Sequence, residues 1–188
     1  RRPRKRIGNL MEREKRTCVL VTGSNGYLGR QLMEALARER ERFENIVAMD
    51  VCDTPQKERQ PGIEYLSVDI RSPELANIFG QFHIDNVIHL ASIVTPGKRT
   101  DREFEYSVDV LGTKNVLEAC IASNVGKIII TSSGAAYGYH PDNPTWLDEE
   151  HALRGNPEFA YSDHKRLVEE MLARYREEGE PRGRLAVA

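Results

Sequence analysis

The sequence has no apolar run that approaches the length of a membrane-spanning helix. Such a helix needs about 18 or more consecutive apolar residues, whereas the 188 residues are 39% hydrophobic and 30% charged. The first residues also lack the apolar stretch of a secretory signal. We therefore expect no membrane association, and we expect a soluble, cytoplasmic protein with one hydrophobic core.

Cysteine is scarce, and neither the cysteines nor the histidines are spaced like metal ligands. Cys18, Cys52 and Cys120 form no C-x-x-C pair, and their odd number leaves at least one without an intramolecular disulfide. This favours a reducing compartment, and we interpret all three as small core residues. The five histidines have no ligand-like spacing with cysteines or acidic residues, so we expect no metal.

A small net charge of -2 conceals a strongly basic N-terminal segment. Residues 1–16 contain eight Lys or Arg and two Glu, a net charge of +6, so the remaining chain carries -8. A basic tail can attract nucleic acid or an anionic surface. Because the acidic remainder has no groove-reading motif, we expect no nucleic-acid binding and interpret residues 1–16 as a flexible extension before one domain at 17–188.

From Thr17 onward, short apolar runs alternate with amphipathic stretches, which is typical of β-α-β units around a parallel sheet. Strands are predicted at 17–22, 45–50, 63–68, 85–91 and 127–132, with a sixth beginning at 185–188. Helices are predicted at 27–42, 73–82, 101–123 and 159–178, and an irregular segment with Pro96 and Gly97 precedes the third. The first helix has an apolar stripe formed by Leu28, Leu32, Leu36 and Phe43.

Three glycines follow the first strand directly, in the order Thr22-Gly23-Ser24-Asn25-Gly26-Tyr27-Leu28-Gly29. Glycines here allow a tight turn and the close approach of a pyrophosphate, while the next helix points its N–H groups at the negative charge. Asp50 ends the second strand, where a carboxylate can bind ribose hydroxyls. The alternative is an ordinary glycine-rich turn. We predict a dinucleotide site, and NAD rather than NADP because a carboxylate repels a 2′-phosphate.

Two further segments lie at strand ends on the same predicted edge of the sheet. Asp69 and Ile70 follow the third strand, and Leu90, Ala91 and Ser92 lie at the end of the fourth. Asp69 could bond an adenine amino group; alone, each segment would more commonly be a loop acid or core packing, but their common edge favours a cofactor site. The predicted cofactor-binding residues are Gly23, Asn25, Gly26, Tyr27, Leu28, Gly29, Asp50, Val51, Asp69, Ile70, Leu90, Ala91, Ser92, Thr131, Tyr161 and Lys165.

The last motif combines a serine at a strand end with a tyrosine and a lysine on a helix. Ser133 follows the fifth strand, and Tyr161 and Lys165, four residues apart, share one face of the last helix. A phenol is a poor base at neutral pH, but an adjacent ammonium and a positive nicotinamide ring stabilise a phenolate. The alternative, a packed tyrosine beside a lysine that extends to solvent, is common on helix surfaces.

Together these motifs resemble the extended short-chain dehydrogenases, and residues 17–165 are similar to the NAD-dependent nucleotide-sugar epimerase and dehydratase family. The resembling stretches are 22–29, Asp50, 69–71, 89–92, 112–119, 131–138 and 161–165. The resemblance implies a Rossmann-type doubly wound α/β sheet with strand order 3-2-1-4-5-6. It implies that Tyr161 is the acid/base, that Lys165 supports it and binds the nicotinamide ribose, and that Ser133 binds the substrate oxygen.

The resemblance also sets expectations about substrate and assembly. It implies a nucleotide-sugar substrate, a homodimer formed through helices 101–123 and 159–178, and a C-terminal substrate-binding part that this chain lacks. Asp109 stands where such proteins often have Asn, and His164 occupies a position that is usually small. Ser133-Gly134-Ala135 lacks the Asp-Glu pair used for dehydration. A 3β-hydroxysteroid-dehydrogenase-like or other alcohol dehydrogenase and a non-catalytic dinucleotide-binding regulatory module remain alternatives.

Overall fold

A computed structural model describes residues 16–94, 101–177 and 185–188, and its strands form one parallel sheet. The sheet order β3-β2-β1-β4-β5-β6 confirms the predicted order 3-2-1-4-5-6. The strands are β1 Thr17–Thr22, β2 Phe43–Asp50, β3 Glu64–Ser67, β4 Asn86–His89, β5 Lys127–Ile130 and β6 Ala186–Val187. The helices are α1 Tyr27–Arg38, α2 Leu75–Gln81, α3 Arg102–Tyr106, α4 Thr113–Ala122 and α5 Ala160–Glu177.

Helices cover both faces of this sheet. Successive side chains of a strand point to opposite faces, so neighbouring residues of one strand pack against different helices. Leu20 of β1 belongs to the larger core cluster, with Phe79 of α2, Val116 of α4 and Leu172 of α5. The next residue, Val21, packs in a second cluster with Met33 of α1 and Ala48 of β2. The central strands are buried on both sides, as expected for a doubly wound fold.

The predicted helix at 101–123 is interrupted by a wider turn. Asp101 caps α3 by accepting a hydrogen bond from the Phe104 amide at 3.0 Å. A π-helical segment, Ser107–Gly112, then joins α3 to α4. Gly112 permits close packing here, since a Cβ at this position would lie 2.6 Å from Ile70 Cδ1.

Several sequence expectations about the first half of the chain are wrong. The first helix ends at Arg38 rather than near Arg42, and Phe43 begins β2 instead of extending the helical stripe. The Arg40 guanidinium donates to the carbonyls of Gly62, Phe43 and Glu44, which fixes a short 3-10 turn where the helix would have continued. Leu28, predicted on the buried stripe, is 56% exposed.

Cysteine burial agrees with the sequence at two of three positions. Cys18 and Cys120 lie in the core, but Cys52 is exposed, because it follows β2 in the loop at the sheet edge. The basic segment 1–15, the segment with Pro96 and Gly97, and the last predicted helical residue, 178, lie outside the described residues. Among the residues that the structure describes, no helix is both long and apolar enough to cross a bilayer.

Candidate active site

The glycine turn brings β1 against the segment that follows β4. Gly23 has φ +67°, and a Cβ there would lie 2.7 Å from the backbone nitrogen of Ala91. A Cβ on Gly29 would lie 2.3 Å from the carbonyl oxygen of Gly23. Glycine is therefore required at both positions, since the neighbouring atoms belong to the backbone and cannot rotate away. Backbone thus packs directly against backbone where β1 turns into α1.

Helix α1 begins directly from this turn with its first N–H groups unsatisfied by a side-chain cap. Gly26 occupies the cap position and offers no side-chain acceptor. Tyr27 and Leu28 are 82% and 56% exposed, so their side chains point away from the core. The N-terminal N–H groups and the helix dipole favour an anion at this end.

Asp50 joins the glycine turn to the loop that follows β2. One carboxylate oxygen accepts the Asn25 amide at 2.9 Å, and the other accepts the Cys52 amide at 3.0 Å. The Asn25 side chain donates to Cys52 O at 2.7 Å and accepts from Thr54 Oγ1 at 2.6 Å. The Asn25 side chain, a predicted cofactor contact, thus ties the two loops together, while each Asp50 oxygen keeps capacity to accept a further hydrogen bond.

A cavity of about 310 Å³ lies at the carboxyl ends of the strands, where open α/β sheets bind ligands. Its lining includes the predicted residues Gly23, Gly26, Asp50, Val51, Asp69, Ile70, Leu90, Ala91 and Ser92. It also includes Val68, Arg71, Ile93, Phe104 and Val108, which were not predicted as contacts. Thr131, Tyr161 and Lys165 do not line this cavity.

One wall of the cavity is built from Asp69, Arg71 and Phe104. Arg71 donates to both Asp69 oxygens, with a shortest distance of 2.6 Å, and to Ser107 Oγ at 2.9 Å. These hydrogen bonds hold the pKa of Asp69 below its usual range. The guanidinium lies 4.9 Å from the centre of the Phe104 ring. Arg71 was visible in the sequence beside Asp69, but nothing in the spacing linked it to Phe104.

The residues predicted to carry catalysis lie at the same sheet edge. Lys165 is 9% exposed, donates from Nζ to the Thr131 carbonyl at 3.0 Å, and lies 5.6 Å from the Tyr161 ring centre. Thr131 N in turn donates to His89 O, so the lysine is anchored where β4 and β5 end. The glycine turn after β1 and the Lys165 contact after β5 thus both lie at the carboxyl ends of the strands.

Ser133 is connected to helix α5 through Ala135. Its Oγ accepts the Ala135 amide at 3.2 Å at the start of a short 3-10 helix, Gly134–Tyr137. Ser162, next to Tyr161, donates to the Ala135 carbonyl at 2.6 Å. Because the Ser133 oxygen accepts this bond, its own proton remains available for a ligand.

An aromatic row that sequence reasoning missed extends from Tyr161. Phe159 lies 6.1 Å from the Tyr161 ring and 6.2 Å from the Tyr139 ring, between ring centres. Tyr139 is 70% exposed and Phe159 41%. Their separation of 20 residues along the chain gave no signal of this contact.

His89 is a buried neutral link between strands and helix. Its Nδ1 lies 2.7 Å from Thr22 Oγ1 and its Nε2 lies 2.9 Å from Thr113 Oγ1. Thr113 donates its proton to Asp109 O, so it accepts from Nε2–H, and Nδ1 accepts from Thr22. Burial, reinforced by the Lys165 charge, lowers the pKa of His89 to about 4.

This histidine should make stability depend on pH. In the unfolded chain His89 takes up a proton with a pKa of about 6.5, whereas in the folded chain its pKa is about 4. The free energy of unfolding therefore falls as the pH drops from about 6.5 to 4. Between about pH 6.5 and 5 we expect a loss of about 2 kcal/mol. Denaturant unfolding at several pH values should show a flatter dependence in His89→Asn, and parallel curves for the two proteins would contradict the assignment.

These features together define an α/β protein of the Rossmann class, with a ligand cavity at the strand ends. The chain belongs to the NAD dependent epimerase/dehydratase family, whose model matches residues 19–185. This confirms the resemblance stated from the motifs. The prediction of NAD as the cofactor is likewise confirmed at the level of the family.

Individual relatives include both epimerases and dehydrogenases. A UDP-glucose 4-epimerase of Yersinia pestis is 32% identical over 167 residues, covering 82% of this chain and 47% of that protein. A 3 beta-hydroxysteroid dehydrogenase/Delta 5-->4-isomerase of vaccinia virus (strain Ankara) is 29% identical over 161 residues, covering 81% and 44%. The crystal structure of the Thermus thermophilus UDP-glucose 4-epimerase in complex with NAD has a TM-score of 0.69 at 27% identity, covering 86% and 51%.

The chain spans about half the length of the curated relatives it matches. Among the parts of the chain that the structure covers, no group of three or more His, Cys, Asp or Glu side chains could hold a metal ion.

Proposed function

We propose that this chain is the NAD-binding and catalytic part of an oxidoreductase or epimerase that transfers hydride at a secondary alcohol of a nucleotide sugar. One observation carries the proposal: Lys165, beside the Tyr161 ring, is fixed to Thr131 at the sheet edge that also holds the glycine turn. Family membership and the nucleotide-sugar epimerases among its relatives support the substrate class.

The cavity lining is compatible with a dinucleotide. Gly23 and Gly26 line it without a side chain that would keep a pyrophosphate from the backbone, and helix α1 begins directly after them. In this proposal the turn residues Gly23–Gly29 hold the pyrophosphate, with Asn25, Tyr27 and Leu28 contributing backbone groups. Asp50 and Val51 contact the adenosine ribose, and Asp69 and Ile70 contact the adenine. Leu90, Ala91, Ser92 and Thr131 form the wall toward the nicotinamide.

NAD, when bound, supplies the ring that accepts and returns hydride. The chain's own residues then manage the proton and the substrate oxygen. Tyr161 takes the hydroxyl proton of the substrate, and the Lys165 ammonium stabilises the phenolate by its charge. Lys165 also binds the nicotinamide ribose, and Ser133 donates a hydrogen bond to the reacting oxygen.

We further propose that residues 17–188 form one NAD-binding domain, that two copies associate through helices 101–123 and 159–178, and that the protein works in the cytoplasm. The exposed Leu111, 48% accessible in the middle of the first of these helices, supports the dimer. Burying such a side chain contributes about 1.5–3 kcal/mol.

The aromatic row favours a second candidate, an alcohol dehydrogenase for an apolar ring system. Tyr139 and Phe159 present flat apolar surface next to Tyr161, and a hydroxysteroid dehydrogenase is among the relatives. Aromatic rings also pack against sugars, so substrates decide between the two candidates.

The test is a titration with NAD followed by assays for nicotinamide reduction with UDP-sugars and with 3β-hydroxysteroids. We expect NAD to bind with micromolar affinity and UDP-sugars to support reduction or epimerisation. Reduction by steroids alone would favour the second candidate. Binding of NAD without turnover of either class would favour a regulatory module, and an absence of NAD binding would contradict the proposal.

A further inference from the structure

The Asp109 carboxylate is buried and holds part of the cavity wall. The residue is 5% exposed and lies in the π-helical segment. Its Oδ1 accepts hydrogen bonds from Ser92 Oγ at 3.0 Å and from the Ile93 amide at 2.8 Å. Ser92 and Ile93 both line the cavity. One oxygen of this carboxylate therefore fixes the segment that follows β4.

The other oxygen of the same carboxylate faces helix α5. His164 is 1% exposed, and its Nδ1 lies 3.3 Å from Asp109 Oδ2. Since a carboxylate only accepts, Nδ1 carries the proton. The His164 and Tyr106 rings form a T-shaped pair with centres 5.7 Å apart. His164 Nε2 has no hydrogen-bond partner among the residues that the structure describes. His164 immediately precedes Lys165, so the carboxylate joins the cavity wall to the helix that carries Tyr161 and Lys165.

The charge of Asp109 also has a nearby counterpart. Asp109, Lys165 and His89 line one small polar cavity of about 10 Å³, together with Thr131. Burial lowers the pKa of Lys165, and the charges of Asp109 and then Glu169 oppose this. His89 does not supply the balancing charge, since burial keeps it neutral. A buried carboxylate without a counter-charge would be strongly unfavourable.

We propose that Asp109 is a positioning residue whose single carboxylate fixes the Ser92–Ile93 wall relative to helix α5 and balances the Lys165 ammonium. The inference rests on the proposed function only in treating Tyr161 and Lys165 as the reacting pair. The mechanical link and the charge balance are properties of the chain without cofactor, so they can be measured separately from turnover.

The first experiment replaces the charge without changing the shape. In Asp109→Asn, the pKa of Lys165, followed by NMR and assigned by its absence in Lys165→Met, should fall by about one unit or more. The Ile93 amide should exchange about threefold faster or more, because a neutral amide oxygen is a weaker acceptor than a carboxylate oxygen. Glu103→Gln, which removes an exposed carboxylate from the same helical region, is the matched control and should change neither quantity.

The second experiment cuts the link on the other side. Among the described residues no hydrogen bond joins His164 to Ile93, yet His164→Ala should speed exchange of the Ile93 amide by about threefold or more, because the carboxylate loses its anchor on α5. His164→Asn, whose amide can donate in place of Nδ1–H, should restore the slower exchange. This pair tests the inference even if Asp109→Asn fails to fold.

The outcomes separate this inference from the proposed function. Unchanged Lys165 titration in a folded Asp109→Asn, or unchanged Ile93 exchange in His164→Ala, overturns the inference and leaves the proposed function intact. If both quantities change as expected but the unmodified chain turns over no substrate with NAD, the link stands and the proposed function fails.

Discussion

Replacing Tyr161 by phenylalanine should lower NAD-dependent turnover by about 10²- to 10⁴-fold, the contribution expected of a general acid/base. The ring remains to pack against Phe159 and below Lys165, so only the hydroxyl is lost. NAD affinity should stay within about threefold of the unmodified chain, because Tyr161 does not line the cavity of about 310 Å³. Steady-state kinetics together with an NAD titration measure both effects.

Tyr139→Phe is the matched control for this substitution. It removes a phenolic hydroxyl from another tyrosine of the same aromatic row. The rings of Phe159 and Tyr161 lie between Tyr139 and Lys165 in that row. Turnover in this variant should remain close to that of the unmodified chain. If Tyr161→Phe retained full turnover, Tyr161 would have no part in proton transfer; if both variants lost activity equally, the row would bind substrate without supplying a proton.

Replacing Gly23 by alanine should both destabilise the fold and abolish NAD binding. An alanine at φ +67° is strained by about 1–2 kcal/mol. Its Cβ would meet three backbone atoms of Leu90 and Ala91 at 2.7–2.9 Å, and separating the strand ends adds about 1–3 kcal/mol. We expect the free energy of unfolding to fall by about 2–5 kcal/mol and NAD affinity to fall by about 100-fold or more, measured by denaturation and by titration.

Gly80→Ala is the control, and we expect it to raise rather than lower the free energy of unfolding. Gly80 lies in α2, and a Cβ there would have no neighbour within 4 Å. Alanine should therefore raise stability by up to about 1 kcal/mol, through helix propensity alone, with no effect on NAD. Equal effects of the two substitutions would contradict the role assigned to the turn.

The fold could be predicted because it is encoded by local patterns. Buried runs such as Thr17–Thr22 and amphipathic stretches such as Ala160–Glu177 each determine one element, and the alternation determines the parallel sheet. The end of α1 could not be predicted this way. It depends on Arg40, whose side chain reaches the carbonyl of Gly62, and such a contact leaves no periodic signal.

Short sequence patterns likewise predict one part of the candidate site and not the other. The glycine turn and the Tyr161–Lys165 pair are encoded by short spacings, and the cavity places many of the predicted contacts together. The contact of Arg71 with Phe104 and that of Asp109 with His164 connect residues far apart in the chain. Such pairs follow from how helices pack on the sheet, which residue order alone does not specify.

Because of the wider turn at Ser107–Gly112, the helical residues before this segment and those after it face different neighbours. An α-helix advances about 100° per residue, so one additional residue in a turn rotates everything that precedes it by that angle. Before the turn, Phe104 lies against Arg71; after it, Val116 and Cys120 pack in the larger core cluster. We therefore expect a one-residue deletion in this segment to rotate α3 by about 100° relative to α4 and to move Phe104 away from Arg71.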